Sequence, residues 1–165
     1  MSRLILTLLL VSTLSVAFAQ EAKERSEIPD ELKWDLTSMY ASDEAWEADF
    51  EKLQTKIPEI DQYKGRLAES GETLLAAIEK LEELSLIADN LYVYAGLKSY
   101  EDQRVSEYSG MFSRARSGYA ALSEATAFFS PELLAISDTD LAAMVDATEG
   151  LHMYRHYLDQ AARDR

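Results

Sequence analysis

The sequence predicts an all-α protein, and three observations lead to that prediction. Its 165 residues are 47% hydrophobic with six Gly and three Pro, which favours helices and is enough for the core of about one domain. Apolar residues recur at steps of three and four over long stretches, as on one side of an α-helix. No Asn-Gly or Asp-Gly hairpin turn occurs. We therefore expect an antiparallel helical bundle.

The first nineteen residues have the three-part layout of a secretory signal peptide. A basic start, Met1–Arg3, precedes an apolar run from Leu4 to Val16, and the small-x-small run that ends at Ala19 fits cleavage before Gln20. A transmembrane anchor is the alternative, but the run is shorter than the roughly 20 apolar residues that a span needs. We predict an exported protein, periplasmic or extracellular, with a flexible charged leader over residues 20–27.

The helical domain is predicted over residues 28–165. Ser42 is a suitable N-cap for its first long helix. The apolar stripe of that helix comprises Trp46, Phe50, Leu53, Ile57 and Ile60. Pro58 interrupts the stripe, so we expect the helix to kink or stop near Lys56, and Gly65 suits the residue after a helix end.

Two longer helices are predicted next. Ser70 caps the first, whose apolar stripe over residues 72–99 is broad enough to contact more than one neighbour. After a polar break at 101–104, a second stripe comprises Tyr108, Phe112, Ala115, Tyr119, Leu122, Thr126 and Phe129. Gly110 and Gly118 weaken this helix, and close backbone packing is the compensation that we expect for them.

Two shorter helices complete the predicted fold. Ser137 begins a segment that resembles a capping box, with Asp140 where Glu is usual. The apolar side of this helix is formed by Leu141, Met144 and Val145. Gly150 breaks it, and residues 151–165 form a last amphipathic piece.

Charge and composition exclude several classes of function. The formal charge of −14 argues against a nucleic-acid partner, because the phosphate backbone is also negative. It has the wrong sign for an anionic lipid surface, so we expect no membrane contact after signal cleavage. The absence of Cys excludes disulfides and thiolate metal sites, and two His cannot form an all-histidine zinc site.

Two histidine motifs near the carboxyl end invite a metal interpretation. His152 and His156 have the i, i+4 spacing of the H-E-x-x-H zinc peptidases, but Met153 replaces the Glu that activates water, and a third ligand could only be a carboxylate such as Asp159. Glu149 and His152 match one half of a di-iron bundle site, which needs two copies. Ordinary exposed or half-buried histidines explain both motifs better. We predict no catalytic and no metal-binding residue in this chain.

Aromatic residues are concentrated in the middle of the chain. They are Tyr92, Tyr94, Tyr100, Tyr108, Phe112 and Tyr119. Tyrosine combines an apolar ring with a polar tip, so such a cluster can line a peptide-binding groove. Packing between two helices is the alternative, and helical spacing favours it.

Several segments, in this order and at these spacings, resemble oligoendopeptidase F, a zinc peptidase similar to thimet oligopeptidase. They are Ile28–Thr37, Ser42–Trp46, Tyr63–Leu67, Leu91–Ser99, Phe128–Glu132 and Tyr154–Leu158. Together they span nearly the whole chain after the signal peptide. The resemblance covers the amino-terminal helical region of that family, about its first quarter.

The resemblance implies a zinc metalloendopeptidase that cleaves oligopeptides within a deep channel. The signal peptide, which departs from the many cytoplasmic members of that family, indicates an exported member. The resemblance also implies that this chain forms the amino-terminal lobe of a larger, mostly helical enzyme. The family's H-E-x-x-H motif and its third zinc ligand lie downstream, so zinc is expected in the full-length enzyme, bound by a carboxyl-terminal catalytic domain missing here. We expect this segment alone to be inactive. Tyr92, Tyr94, Tyr100 and Tyr108 are its candidate substrate-channel residues.

A different class of protein is also compatible with the residues. A complete secreted helical bundle could bind a partner through a tyrosine-rich surface without any catalytic function. The coding sequence after Arg165 separates the two hypotheses, since only the peptidase requires a continuation with H-E-x-x-H.

Overall fold

Residues 24–163 are described by a computed structural model, and within that range every regular element is an α-helix or a 3₁₀ segment. The all-α prediction is therefore confirmed. The predicted signal peptide lies outside the described residues. The chain divides into two units, the first ending at Asp35 and the second beginning at Leu36. The described part of the first unit contains two 3₁₀ turns, Arg25–Glu27 and Asp30–Leu32.

Helix α1 (Asp43–Lys56) begins where the sequence predicts. The Ser42 hydroxyl accepts a hydrogen bond from the N–H of Ala45 at 3.4 Å, which caps the first turn. The α-helix ends just before Pro58, and the chain continues as a 3₁₀ segment, Ile57–Tyr63. The predicted apolar stripe remains buried across this change: Trp46, Phe50, Leu53, Ile57 and Ile60.

Helix α2 (Gly71–Glu101) is 31 residues long and begins at the predicted cap, Ser70. Helix α3 (Ser106–Ala125) follows after a short connection and runs antiparallel to it. A Cβ atom placed on Gly96 of α2 would lie 3.3 Å from the ring of Phe112 on α3, so the two helices pack closely at this level. The pair forms an antiparallel hairpin, which agrees with the predicted antiparallel bundle.

Helix α1 also packs antiparallel to α2, and polar contacts link them at both ends. The indole N–H of Trp46 donates to the backbone carbonyl of Leu91 at 3.0 Å in a buried position. Farther along, Lys56 donates to Glu83 at 2.5 Å, and Lys80 donates to the same carboxylate at 2.8 Å. The hydrogen bonds from these two lysines lower the pKa of Glu83 to about 2.

The buried apolar side chains form two clusters, and α2 contributes to both. The first lies between α1, α3 and the second half of α2, and includes Trp46, Phe50, Leu53, Leu84, Leu91, Met111 and Leu122. The second lies between the start of α2 and the carboxyl-terminal elements, and includes Leu74, Ile78, Phe129, Leu133, Leu141, Val145, Leu151 and Leu158. Those elements are α4 (Phe129–Ala135), α5 (Asp138–Ala147), a 3₁₀ segment (Glu149–Tyr154) and α6 (Arg155–Arg163). The apolar stripe of α2 is broad because this helix contributes side chains to both clusters.

Two predictions about α3 are wrong. The stripe was expected to reach Phe129 on one helix, but α3 ends before Thr126, whose hydroxyl donates back to the Leu122 carbonyl at 2.8 Å. The buried positions of α3 are Met111, Ala115, Gly118 and Leu122. Gly118 packs closely against α1, as predicted, whereas a Cβ atom on Gly110 would have no described atom within 4 Å. Close packing therefore does not compensate for the glycine at position 110, contrary to the prediction.

Candidate functional site

The four candidate channel tyrosines lie on different sides of the α2–α3 hairpin. Tyr92 and Tyr100 are 40% and 60% exposed, whereas Tyr94 is buried and Tyr108 is half-buried. Residues two apart on a helix project about 200° from one another, so Tyr92 and Tyr94 cannot share a surface. The prediction grouped the four tyrosines because they lie close together in sequence, whereas the fold places them in two separate clusters.

The first cluster, the aromatic ridge, consists of Tyr92, Tyr100, Phe112 and Tyr119. The ring of Phe112 contacts Tyr92 edge-on at 5.1 Å and Tyr100 at 5.8 Å, and Tyr92 contacts Tyr119 at 5.9 Å. The hydroxyl of Tyr119 donates to Asp89 at 3.1 Å, and this hydrogen bond raises the pKa of Tyr119. The ridge is an exposed aromatic surface held in place by contacts between α2 and α3.

The second cluster, the tyrosine–lysine cluster, consists of Tyr40, Asp43, Tyr94, Lys98 and Tyr108. Asp43 accepts hydrogen bonds from the Tyr94 hydroxyl at 2.8 Å and from Lys98 at 2.5 and 2.6 Å. Lys98 also lies 4.5 Å from the ring centre of Tyr108, and Tyr40 contacts Tyr94 edge-on at 5.2 Å. These contacts fasten the first turn of α1 to the last turns of α2.

The electrostatics of the tyrosine–lysine cluster are those of a structural ion pair between Asp43 and Lys98. Burial opposes ionisation of Asp43, but the hydrogen bonds from Lys98 and Tyr94 outweigh it and hold the pKa of Asp43 below its usual range. Burial and the hydrogen bond to Asp43 raise the pKa of Tyr94, and burial beside Asp49 raises that of Tyr40. At neutral pH the phenols of Tyr40 and Tyr94 therefore stay protonated, and neither offers a phenolate for acid–base chemistry.

A third surface, the Tyr157 groove, was not found from the sequence. Its main hollow has a volume of about 360 Å³ and is lined by Ile78, Leu81, Glu82, Ser85, Phe129, Tyr154 and Tyr157. Tyr157 also borders a second hollow of about 350 Å³ beside α4 and α6. The hydroxyl of Tyr154 donates to Glu82 at 2.6 Å, which raises the pKa of Tyr154 to about 12. The i, i+3 spacing of Tyr154 and Tyr157 is the one feature of the sequence that indicates that their side chains lie on the same side of the chain.

The histidine motifs do not converge on a metal site. His152 belongs to the 3₁₀ segment and His156 to α6, so the continuous helix that the i, i+4 motif requires is interrupted between them. Both side chains are exposed. Within residues 24–163, no group of three or more His, Cys, Asp or Glu side chains is placed to hold a metal ion. In the same range, no helix combines the length and apolar character needed to cross a bilayer.

The chain is similar in sequence to known oligopeptidases. The chain is 32% identical over 158 residues to oligopeptidase PepF of Bacillus subtilis (strain 168), and this alignment covers 93% of the chain and 24% of the relative. It is 34% identical over 140 residues to the plasmid-encoded oligoendopeptidase F of Lactococcus lactis subsp. cremoris, covering 84% of the chain and 23% of the relative. No protein-family model matches the chain.

Solved structures agree with the sequence relatives. The crystal structure of oligoendopeptidase F from Enterococcus faecium matches with a TM-score of 0.69 and 30% identity, over 74% of this chain and 24% of that one. A Chlamydophila abortus protein assigned as a peptidase matches with a TM-score of 0.77 and 26% identity, over 87% and 24%. The chain is thus a helical segment homologous to peptidases. Specifically, it is homologous to oligoendopeptidase F, as the resemblance predicted, and spans about a quarter of the length of its relatives.

Proposed function

We propose that this chain is the amino-terminal helical part of an exported zinc metalloendopeptidase that hydrolyses oligopeptides. The observation that carries the proposal is the alignment of 93% of the chain with 24% of an oligopeptidase. The names of the relatives, oligopeptidase and oligoendopeptidase, supply the substrate class. The chain's contribution is structural: it forms part of the wall along which a peptide lies.

The aromatic ridge is the surface that best suits such a wall. Tyr92 and Tyr119 are 40% and 43% exposed, and their mutual edge contact holds the rings in a fixed orientation. Rings fixed in this way can pack against peptide side chains at a small cost in conformational entropy. Tyr94 is less suited, because its hydroxyl is already engaged by Asp43.

Zinc, in this proposal, is held by polypeptide outside these 165 residues. The residues described here do not fit a zinc site, since His152 and His156 are exposed and lie on separate elements. When bound in the full-length enzyme, zinc polarises the scissile carbonyl and a water molecule. This chain neither coordinates the ion nor transfers a proton in that reaction.

Export is supported by the layout of residues 1–19, which is that of a cleavable signal peptide. The cleaved signal places the enzyme in the periplasm or outside the cell. Amino-terminal sequencing of the protein recovered from that compartment is expected to begin at Gln20. An intact Met1 on an active enzyme inside the cell would contradict export without affecting the peptidase proposal.

The peptidase proposal is tested by expressing the full coding sequence and, separately, residues 20–165. The full-length protein is expected to cleave a quenched fluorescent peptide, and a chelator is expected to abolish the cleavage. Residues 20–165 alone are expected to show no activity. Chelator-sensitive cleavage by residues 20–165, or a coding sequence that stops after Arg165, would overturn the proposal.

The role of the aromatic ridge has its own test in the full-length enzyme. Tyr92→Ala is expected to raise KM about fivefold with little change in kcat, because one aromatic contact contributes about 1 kcal/mol to binding. Met153→Ala is the matched control, since Met153 is exposed but distant in sequence from the ridge. An unchanged KM in the Tyr92 variant would remove the ridge from the peptide path.

A further inference from the structure

The outward side of α2 carries an apolar stripe that the described fold leaves uncovered. Leu86, Val93 and Tyr100 recur every seven residues and are 64%, 44% and 60% exposed. Asn90 and Leu97 lie between them, so the steps along the stripe are four, three, four and three. We call these five residues the outward face. Leu86 and Val93 project away from both α1 and α3, which cover the other sides of α2, and at the end of the stripe the ring of Tyr100 contacts Phe112 of α3 at 5.8 Å.

Charge is scarce along this part of α2. The sixteen residues from Ser85 to Tyr100 include two charged side chains, Asp89 and Lys98, in a protein that is 28% charged. Both have partners: Asp89 accepts from Tyr119 at 3.1 Å, and Lys98 donates to Asp43 at 2.5 Å. A helix side that faces water ordinarily carries charged residues, so this stretch has the composition of a buried surface.

We propose that the outward face is the docking surface for an α-helix from the part of the enzyme outside these 165 residues. The inference rests on the proposed function, because it takes the chain to be one part of a longer peptidase. Its relatives are about four times as long as the aligned region, so most of their polypeptide lies outside it. The seven-residue repeat fits the crossing of a second helix at a shallow angle, with side chains interdigitating along two heptads.

The residues beside the outward face indicate the chemistry of that partner helix. Glu79 lies one heptad before Leu86, and Glu82 and Asp89 lie at the edge of the same side. A second copy of this chain packed parallel to the first would bring these acidic edges together, in a protein with a formal charge of −14. The partner is therefore an apolar helix flanked by Lys or Arg.

Cysteine labelling tests this inference, because the chain contains no Cys of its own. Val93→Cys places a thiol on the outward face, and Ser117→Cys places one at an exposed position of α3 as a matched control. Labelling by a maleimide is followed on the tryptic peptide by mass spectrometry, both in residues 20–165 and in the full-length enzyme. Leu86→Cys provides a second position on the same face.

In residues 20–165, both thiols are expected to react at similar rates. In the full-length enzyme, the labelling rates of Val93→Cys and Leu86→Cys are expected to fall by about tenfold or more, because a covered thiol reacts only after local opening. The labelling rate of Ser117→Cys is expected to change by less than about twofold. Equal labelling of Val93→Cys in both forms would overturn the inference. Labelling of residues 20–165 that slows as protein concentration rises would overturn it too, by making a second copy the occupant.

The same samples separate this inference from the proposed function. Full-length enzyme that cleaves peptide but leaves Val93→Cys fully reactive retains the function and loses the docking surface. Full-length protein that protects Val93→Cys but cleaves no peptide retains the docking surface and loses the function.

Discussion

Two glycines of α3 provide a sharp test of how closely this helix packs against α1. Gly118 and Gly110 both lie inside Ser106–Ala125, so replacing either with Ala gives the same intrinsic gain in helix propensity, about 1 kcal/mol. Their surroundings differ. A Cβ atom on Gly118 would lie 3.3 Å from the Phe50 ring and 3.4 Å from Leu53, whereas on Gly110 it would meet no described atom within 4 Å.

The cost at Gly118 depends on whether Phe50 can retreat. Its ring stacks on that of Trp46, with centres 5.3 Å apart and planes 5° from parallel, and Arg114 lies 5.4 Å from the same ring. Neighbours on two sides therefore hold Phe50, and an added methyl group overpacks the site at a cost of about 1–3 kcal/mol. Against the propensity gain, Gly118→Ala should lower the free energy of unfolding by up to about 2 kcal/mol.

The assay is urea unfolding of both variants, followed by far-ultraviolet circular dichroism at pH 7. Gly110→Ala is expected to raise the midpoint by an amount equivalent to about 1 kcal/mol, and Gly118→Ala is expected to lower it, with unchanged m values. A Gly118→Ala midpoint raised as much as that of Gly110→Ala would refute the reasoning, because it would mean that Phe50 repacks freely.

Two further predictions concern polar contacts between α1 and α2. The pKa of Glu83 is lowered to about 2 by Lys56 and Lys80, so its contribution to stability is complete above its unfolded pKa of about 4.5 and is lost as the pH falls toward 2. Urea midpoints measured from pH 5 to pH 2 should fall less steeply for Glu83→Gln than for the wild type, and parallel curves would contradict this. Trp46→Phe removes the buried hydrogen bond to Leu91 and part of a fully buried ring, so the free energy of unfolding should fall by about 2 kcal/mol in thermal or urea unfolding. An unchanged stability would show that this bond contributes nothing.

Local physics made the helix ends predictable. Ser42, Ser70 and Ser137 each cap the helix that the sequence assigns to them, because a hydroxyl satisfies backbone N–H groups within three residues. Pro58 ends α-helical bonding for an equally local reason, since it has no N–H to donate and its ring crowds the preceding turn. Gly65 has a φ of +78°, which other residues adopt at a cost.

Contacts between side chains on different helices were harder to predict. Closeness in sequence grouped Tyr92 with Tyr94, yet one contacts α3 and the other hydrogen-bonds to Asp43 on α1. The i, i+3 spacing of Tyr154 and Tyr157 places both on one side of the chain, but no local signal indicates that residues of α2 and Phe129 meet them in the Tyr157 groove. Periodicity states which residues share a side of a helix, but it does not state which other helix covers that side.

The amino-acid sequence by itself determined the all-α class, the caps and breaks of the helices, and the resemblance to oligoendopeptidase F, because each depends on residue type and on spacing within a few turns. The tertiary structure decided which tyrosines are exposed, that α2 contributes to two cores, and that residues 24–163 leave its outward face uncovered. Those features depend on contacts between residues tens of positions apart, which only the packing of one helix against another brings together.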